Sequence, residues 1–130
     1  MCKWKAYQSS RVKMDLPVVN HEDYFAKIGD DHKFPINKFG ELASYLTQNK
    51  IVNKFHKPLA CSFETLSYAH SKNYILDIKN KTLSKEGVKK IGFPLIDSVV
   101  QRSLVATGGT VLASKPVSYT HLTLPTTEAV

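Results

Sequence analysis

The side chains in this sequence that could bind a metal, move a proton or act as a nucleophile are few and scattered. Its five histidines, His21, His32, His56, His70 and His121, are well separated in the sequence. The two cysteines, Cys2 and Cys61, have no CxxC spacing and no neighbouring Cys/His cluster. Neither a disulfide framework nor a structural zinc site is indicated, and both read as free thiols. His21, His56 and His70 stand beside turn and helix-end signals, where an imidazole serves as a local hydrogen-bonder rather than a ligand.

The elements that must position these residues are mainly helical. Residues 15–20 have a short apolar centre and read as the entry to a strand, followed by a turn or single helical turn over 21–24. After Pro35, the spacing of Phe39, Leu42, Ala43 and Leu46 places four apolar side chains on one helical face. That helix should end near residues 48–50, with Ile51 and Val52 opening a short extended piece. Ser62, Ser71 and Ser84 each precede a helical pattern, and a hydroxyl there can accept the orphan amide protons of a first turn. Short helices are therefore expected over 63–68, 72–79 and 85–90, before a loop at Gly92-Phe93-Pro94. From Asp97 the pattern is helical again, with Val100, Leu104 and Val111 in line. Gly108 and Gly109 each cost a helix about 1 kcal/mol relative to Ala, so the pair is read as a place where another backbone comes close.

At 130 residues, with 42% hydrophobic content, the chain is long enough for one small core. No run approaches the roughly 18–20 apolar residues of a membrane-spanning helix, and the polar opening segment is not a secretory leader. A cytoplasmic protein without membrane contact is the expectation. The formal charge of +7 invites a nucleic-acid partner, yet the lysines are spread along the chain and no nucleic-acid-binding motif accompanies them. A small basic non-enzymatic domain that binds nucleic acid or protein stands as the alternative reading.

The segment from Pro116 to Val130 differs in character. It holds no Lys or Arg and four Thr, lacks a helical period, and resembles the translation of sequencing-adapter DNA at the end of an assembled metagenomic read. The chain is accordingly divided into an upstream extension at 1–14, in which Met14 is a candidate start, a partial domain at 15–115, and a non-native tail at 116–130. Tyr119 and His121 are left out of functional argument.

Five segments, in order, resemble the start of the bacterial histone deacetylase-like family, nearest its class IV and acetoin-utilisation branch. They are Leu16-Pro17-Val18-Val19 with His21 and Tyr24; the run from His32 through Phe34, Pro35 and Lys38 to Phe39; the stretch ACSFETLSYAHSKNY from Ala60 to Tyr74; Ile91-Gly92-Phe93-Pro94; and Arg102-Ser103-Leu104 through Thr107-Gly108-Gly109-Thr110. The resemblance implies an α/β class, the N-terminal part of the arginase/deacetylase three-layer α/β/α fold, mostly helical in this stretch. It implies a zinc-dependent hydrolase acting on acetylated lysine or a small acetylated amine. In that family zinc polarises the amide carbonyl and activates water, while an Asp-x-His pair, a second Asp, a His pair and a Tyr do the remaining work. No residue of this chain is assigned to the metal or to catalysis, so the isolated chain is expected to be inactive. What the resemblance assigns here is the substrate channel. His32, Phe34, Pro35 and Lys38 match the first active-site loop, Lys38 standing where many relatives carry Arg, and Phe93 matches the loop facing it.

Overall fold

The computed structural model describes residues 17–129, with side chains through Lys115. The proposed extension at 1–14, and the first residues of the expected strand, lie outside the described residues. The chain is mostly helical around a two-stranded parallel sheet. β1, Val18–Val19, pairs with β2, Phe55–His56, in the register Val18 to Phe55 and Val19 to His56. The Asn20 amide extends the pairing by donating to the His56 carbonyl at 3.1 Å. A parallel pair requires a crossover, and the intervening chain contains a 3₁₀ turn, Glu22–Tyr24, and α1, Lys38–Gln48.

The extended piece was expected at Ile51 and Val52, but the strand starts at Phe55. The cause is the way α1 ends. Lys50 takes a left-handed conformation at φ 54°, and the amides of Ile51 and Val52 both turn back onto the Leu46 carbonyl, at 2.9 and 3.3 Å. Those two donors complete the helix end and are unavailable to a ladder.

The three serine caps form as expected. Ser62, Ser71 and Ser84 accept from the amides of Thr65, Tyr74 and Gly87 at 3.2, 3.3 and 3.1 Å, each cap contributing on the order of 1 kcal/mol. They begin α2, Phe63–Ser67, α3, Lys72–Asn80, and α4, Lys85–Ile91. Gly92 closes α4 at φ 77°. α5 runs from Asp97 to Ala129. Its backbone continues helically through the segment that lacked a helical period, with Pro116 and Pro125 each removing one amide donor from that helix.

α5 is the element on which the others are hung. The Lys27 amide donates to Ser98 Oγ at 3.1 Å, Gln101 Nε2 donates to Asp23 Oδ2 at 3.1 Å, and the Cys61 amide donates to the Leu104 carbonyl at 2.9 Å. The last of these brings the chain at 59–61 against the helix backbone. A Cβ at Gly108 would collide with the Leu59 carbonyl oxygen, and one at Gly109 with the Tyr24 hydroxyl. Gly108 is thus the point of close backbone approach that its place in a helix suggested, whereas Gly109 faces side chains.

Apolar burial is modest. Among the described residues, Ala26, Ile36, Ile75, Val99, Val100 and Val105 are the buried hydrophobic side chains. Of the expected apolar face of α1, Phe39, Ala43 and Leu46 are half-buried while Leu42 is 57% exposed. Leu59 and Tyr68 are 88% and 80% exposed, so these apolar side chains have no cover among the described residues.

The 3₁₀ turn is tied to the end of β2 by an ion pair between Glu22 and Lys57. The hydrogen bond from Lys57, reinforced by the backbone amide and by the lysine charge, holds the Glu22 carboxyl below its ordinary value. A carboxyl depressed on folding contributes stability above its unfolded pKa and loses it as pH falls through the folded one. Lys57→Gln should therefore raise the Glu22 titration midpoint, read by NMR. Because the pair is exposed, the substitution should leave stability at neutral pH nearly unchanged.

Candidate functional site

His32 anchors the site from the loop before α1. The Phe34 amide donates to His32 Nδ1 at 3.1 Å, which makes that nitrogen the acceptor of the ring. In a neutral imidazole the other nitrogen then carries the proton, so Nε2 is the donor to the Gly92 carbonyl, 3.2 Å away and 60 residues later in the chain. The ring also lies flat on Phe93, with centroids 5.1 Å apart and planes 11° apart. One side chain thereby joins the loop before α1 to the loop after α4.

Phe34 stands at the centre of an aromatic cluster. Its ring meets Phe93 edge-on at 5.3 Å and Phe39 at 6.2 Å, both favourable aromatic geometries. Phe39 in turn meets Tyr24 edge-on at 6.0 Å. Two cations share this aromatic surface. Lys38 Nζ stands 4.6 Å from the Phe34 centroid and 5.1 Å from that of Phe39. The Arg102 guanidinium stands 5.4 and 5.2 Å from the same two centroids, close enough for attraction to the negative ring faces. Arg102 Nε also donates to the Tyr24 carbonyl at 2.9 Å. Burial pushes the Tyr24 phenol above its usual range.

Of the five residues singled out in the sequence, His32, Phe34, Lys38 and Phe93 are thus brought into one cluster. Phe34, Phe39 and Phe93 are half-buried and pack onto Ala26, Ile36 and Val99, so the cluster sits on the core rather than apart from it. Pro35 lies outside these ring contacts; it is exposed, and its carbonyl accepts from the Lys38 amide at 3.2 Å to turn the chain into α1. Arg102 and Phe39 belong to the cluster without having been singled out. Arg102 carried one sequence signal: it is one of two arginines in the chain, against sixteen lysines, and a planar donor fork is not interchangeable with an ammonium.

The other histidines have local duties. His21 Nδ1 accepts from the Asp23 amide at 3.0 Å and caps the 3₁₀ turn; His56 lies in β2, and the His70 ring rests against Tyr74 at 5.5 Å.

One string does carry Asp-x-His spacing, Asp30-Asp31-His32, but its geometry does not make a metal site. Both His32 nitrogens are already engaged, and Asp30 and Asp31 are exposed. Among the described residues no group of three His, Cys, Asp or Glu side chains is placed to hold a metal ion. What the cluster presents is aromatic ring surface with two cations beside it. An apolar cleft of about 280 Å³ between α2, α3 and α5, lined by Leu66, Tyr74, Ile78 and Leu104 among others, contains none of the five.

The chain is similar to an uncharacterized protein of Picosynechococcus sp., 33% identical over 104 residues, which cover 78% of this chain and 35% of that relative. It therefore spans about a third of the length of the relative it matches. No family model and no solved structure matches it. Among the described residues no helix is long and apolar enough to cross a membrane.

Proposed function

We propose that this chain is the N-terminal part of a zinc-dependent deacetylase domain, and that its aromatic cluster forms part of the wall of a channel for acetylated lysine or a related acetylated amine. The observation that carries the reading is the meeting of two loops far apart in sequence. The resemblance puts residues 32–38 and Phe93 on facing sides of one channel, and the stack of His32 on Phe93 brings those loops together. Phe34 and Phe93, set edge to face, offer apolar walls to the methylenes of a lysine stem.

Two further observations fit a piece of a larger α/β domain. Parallel sheets occur almost only with both faces covered, whereas among the described residues two two-residue strands make up the sheet. The exposed apolar side chains on α1 and in the stretch around Leu59 and Tyr68 are what such a layer leaves open before its neighbours are added. The three-layer arginase/deacetylase fold supplies those neighbours. The described residues do not fit a zinc site, so the metal ligands of the reading lie beyond them, and this part of the domain contributes substrate positioning.

The test is hydrolysis. The protein encoded by the gene read on past Ser114 should release acetate from an acetyl-lysine peptide, lose that activity to a zinc chelator and regain it with added zinc; purified residues 1–130 should release none. An extended protein without an adjacent His pair and a further Asp, inert towards acetylated amines and bound tightly to DNA in a salt-sensitive manner, would replace this reading with the small basic binding domain.

A further inference from the structure

We infer that Arg102 is a positioning residue for the loop that carries Phe34 and Lys38, acting from α5 without itself touching a substrate; this rests on the reading of that loop as a channel wall. Arg102 grips the loop segment at both ends. At its start, Nε holds the Tyr24 carbonyl across 78 residues of sequence. At its close, the guanidinium faces the rings of both Phe34 and Phe39. Among the described residues no carboxylate lies within ion-pair distance of Arg102, so its charge is answered by one carbonyl and two π faces.

That arrangement uses what distinguishes Arg from Lys: a flat, delocalised cation that stacks on rings while an in-plane N–H points elsewhere. Lys38 approaches the same rings from α1, the element whose placement is in question, and so cannot fix the loop against the rest of the molecule. Arg102 can, because α5 also holds the chain at Lys27, at Asp23 and at Cys61. Without it, Phe34 and Phe39 keep only apolar packing on Val99 as their tie to α5, which fixes no ring orientation, and Lys38 moves with them.

The consequence falls on substrate placement rather than on the chemical step, because the loop lines the stem of the substrate and carries no reacting group. In the extended enzyme, Arg102→Met should raise KM for an acetyl-lysine peptide about tenfold with kcat little changed, and Arg102→Lys should recover part of the loss. A residue serving stability alone would lower the yield of active enzyme and leave KM per active site where it was. In the 130-residue chain, the same Met substitution should shift the ring proton resonances of Phe34, Phe39 and Phe93 while leaving the amides of α3 and α4 in place. A KM within twofold of the parent in an active enzyme overturns the inference. An extended protein inert towards acetyl-lysine overturns the proposed function instead, and the ring resonances then decide alone: shifted, Arg102 still positions the loop; unshifted, the inference fails.

Discussion

Gly108→Ala should destabilise the protein, although the same change in the interior of an ordinary helix stabilises it by about 1 kcal/mol. The sign reverses because of what faces the glycine. A Cβ built there runs into the Leu59 carbonyl oxygen and comes within 3.1 Å of the Leu59 carbonyl carbon and 3.2 Å of the Cys61 nitrogen. All three are backbone atoms with no rotamer to change, so relief requires α5 and the 59–61 chain to separate. Separation stretches the hydrogen bond from the Cys61 amide to the Leu104 carbonyl, the direct link between those two segments. Overpacking of about 1–3 kcal/mol and a weakened hydrogen bond of about 1 kcal/mol outweigh the helix-propensity gain. A net loss of about 2 kcal/mol lowers Tm by roughly 10 °C in a domain of this size, readable by circular dichroism. Gly109→Ala should cost less, since the obstacle there is the hydroxyl end of the Tyr24 side chain, which can swing where a backbone cannot. A rise in Tm for Gly108→Ala would mean that the two segments do not approach as described.

The same glycines mark how far the sequence could be read. A Gly pair inside a helical pattern contradicts local preference, and such a conflict signals a neighbour that must come close; which neighbour it is depends on contacts half the chain away. The serine caps were legible because a cap is a local event, decided within three residues. β2 was not. Phe55 and His56 show no alternation, and a two-residue parallel strand exists only because β1, some 37 residues earlier, offers it partners. The candidate site was legible in its residues but not in its assembly. Nothing in the order of residues 32–39 indicates that His32 spends Nδ1 on its own loop and Nε2 on the Gly92 carbonyl of another, which makes it a brace and not a ligand. Arg102 escaped notice for the related reason that its partners, Tyr24, Phe34 and Phe39, all lie more than 60 positions away in sequence, whereas on α5 itself it is flanked by Gln101 and Ser103 and shows no charge pattern.

Phe34→Ala should be the most damaging change in the site. Removing a fully buried Phe costs about 3–5 kcal/mol; Phe34 is half-buried, which brings the packing loss to roughly 2 kcal/mol on the same scale. The ring also answers two cations, and at partly exposed sites each such contact contributes about 0.5–1 kcal/mol. The two losses can be separated by a second substitution. Phe34→Leu keeps most of the apolar volume against Ala26, Ile36 and Val99 but presents no ring face to Lys38 or Arg102. Denaturant unfolding should therefore rank the parent above Phe34→Leu, and Phe34→Leu above Phe34→Ala by about 1–2 kcal/mol. The site should respond in a different order. If Phe34 serves as a channel wall and as the seat for Arg102 and Lys38, then in the extended enzyme the Leu variant should suffer a rise in KM nearly as large as the Ala variant, despite its recovered stability. If the Leu variant recovers stability and KM together, the ring is a core side chain and the wall of the channel lies elsewhere. A stability series and a KM series that part company at Leu would tie the aromatic cluster to recognition, because packing accepts an aliphatic replacement and the two cations do not.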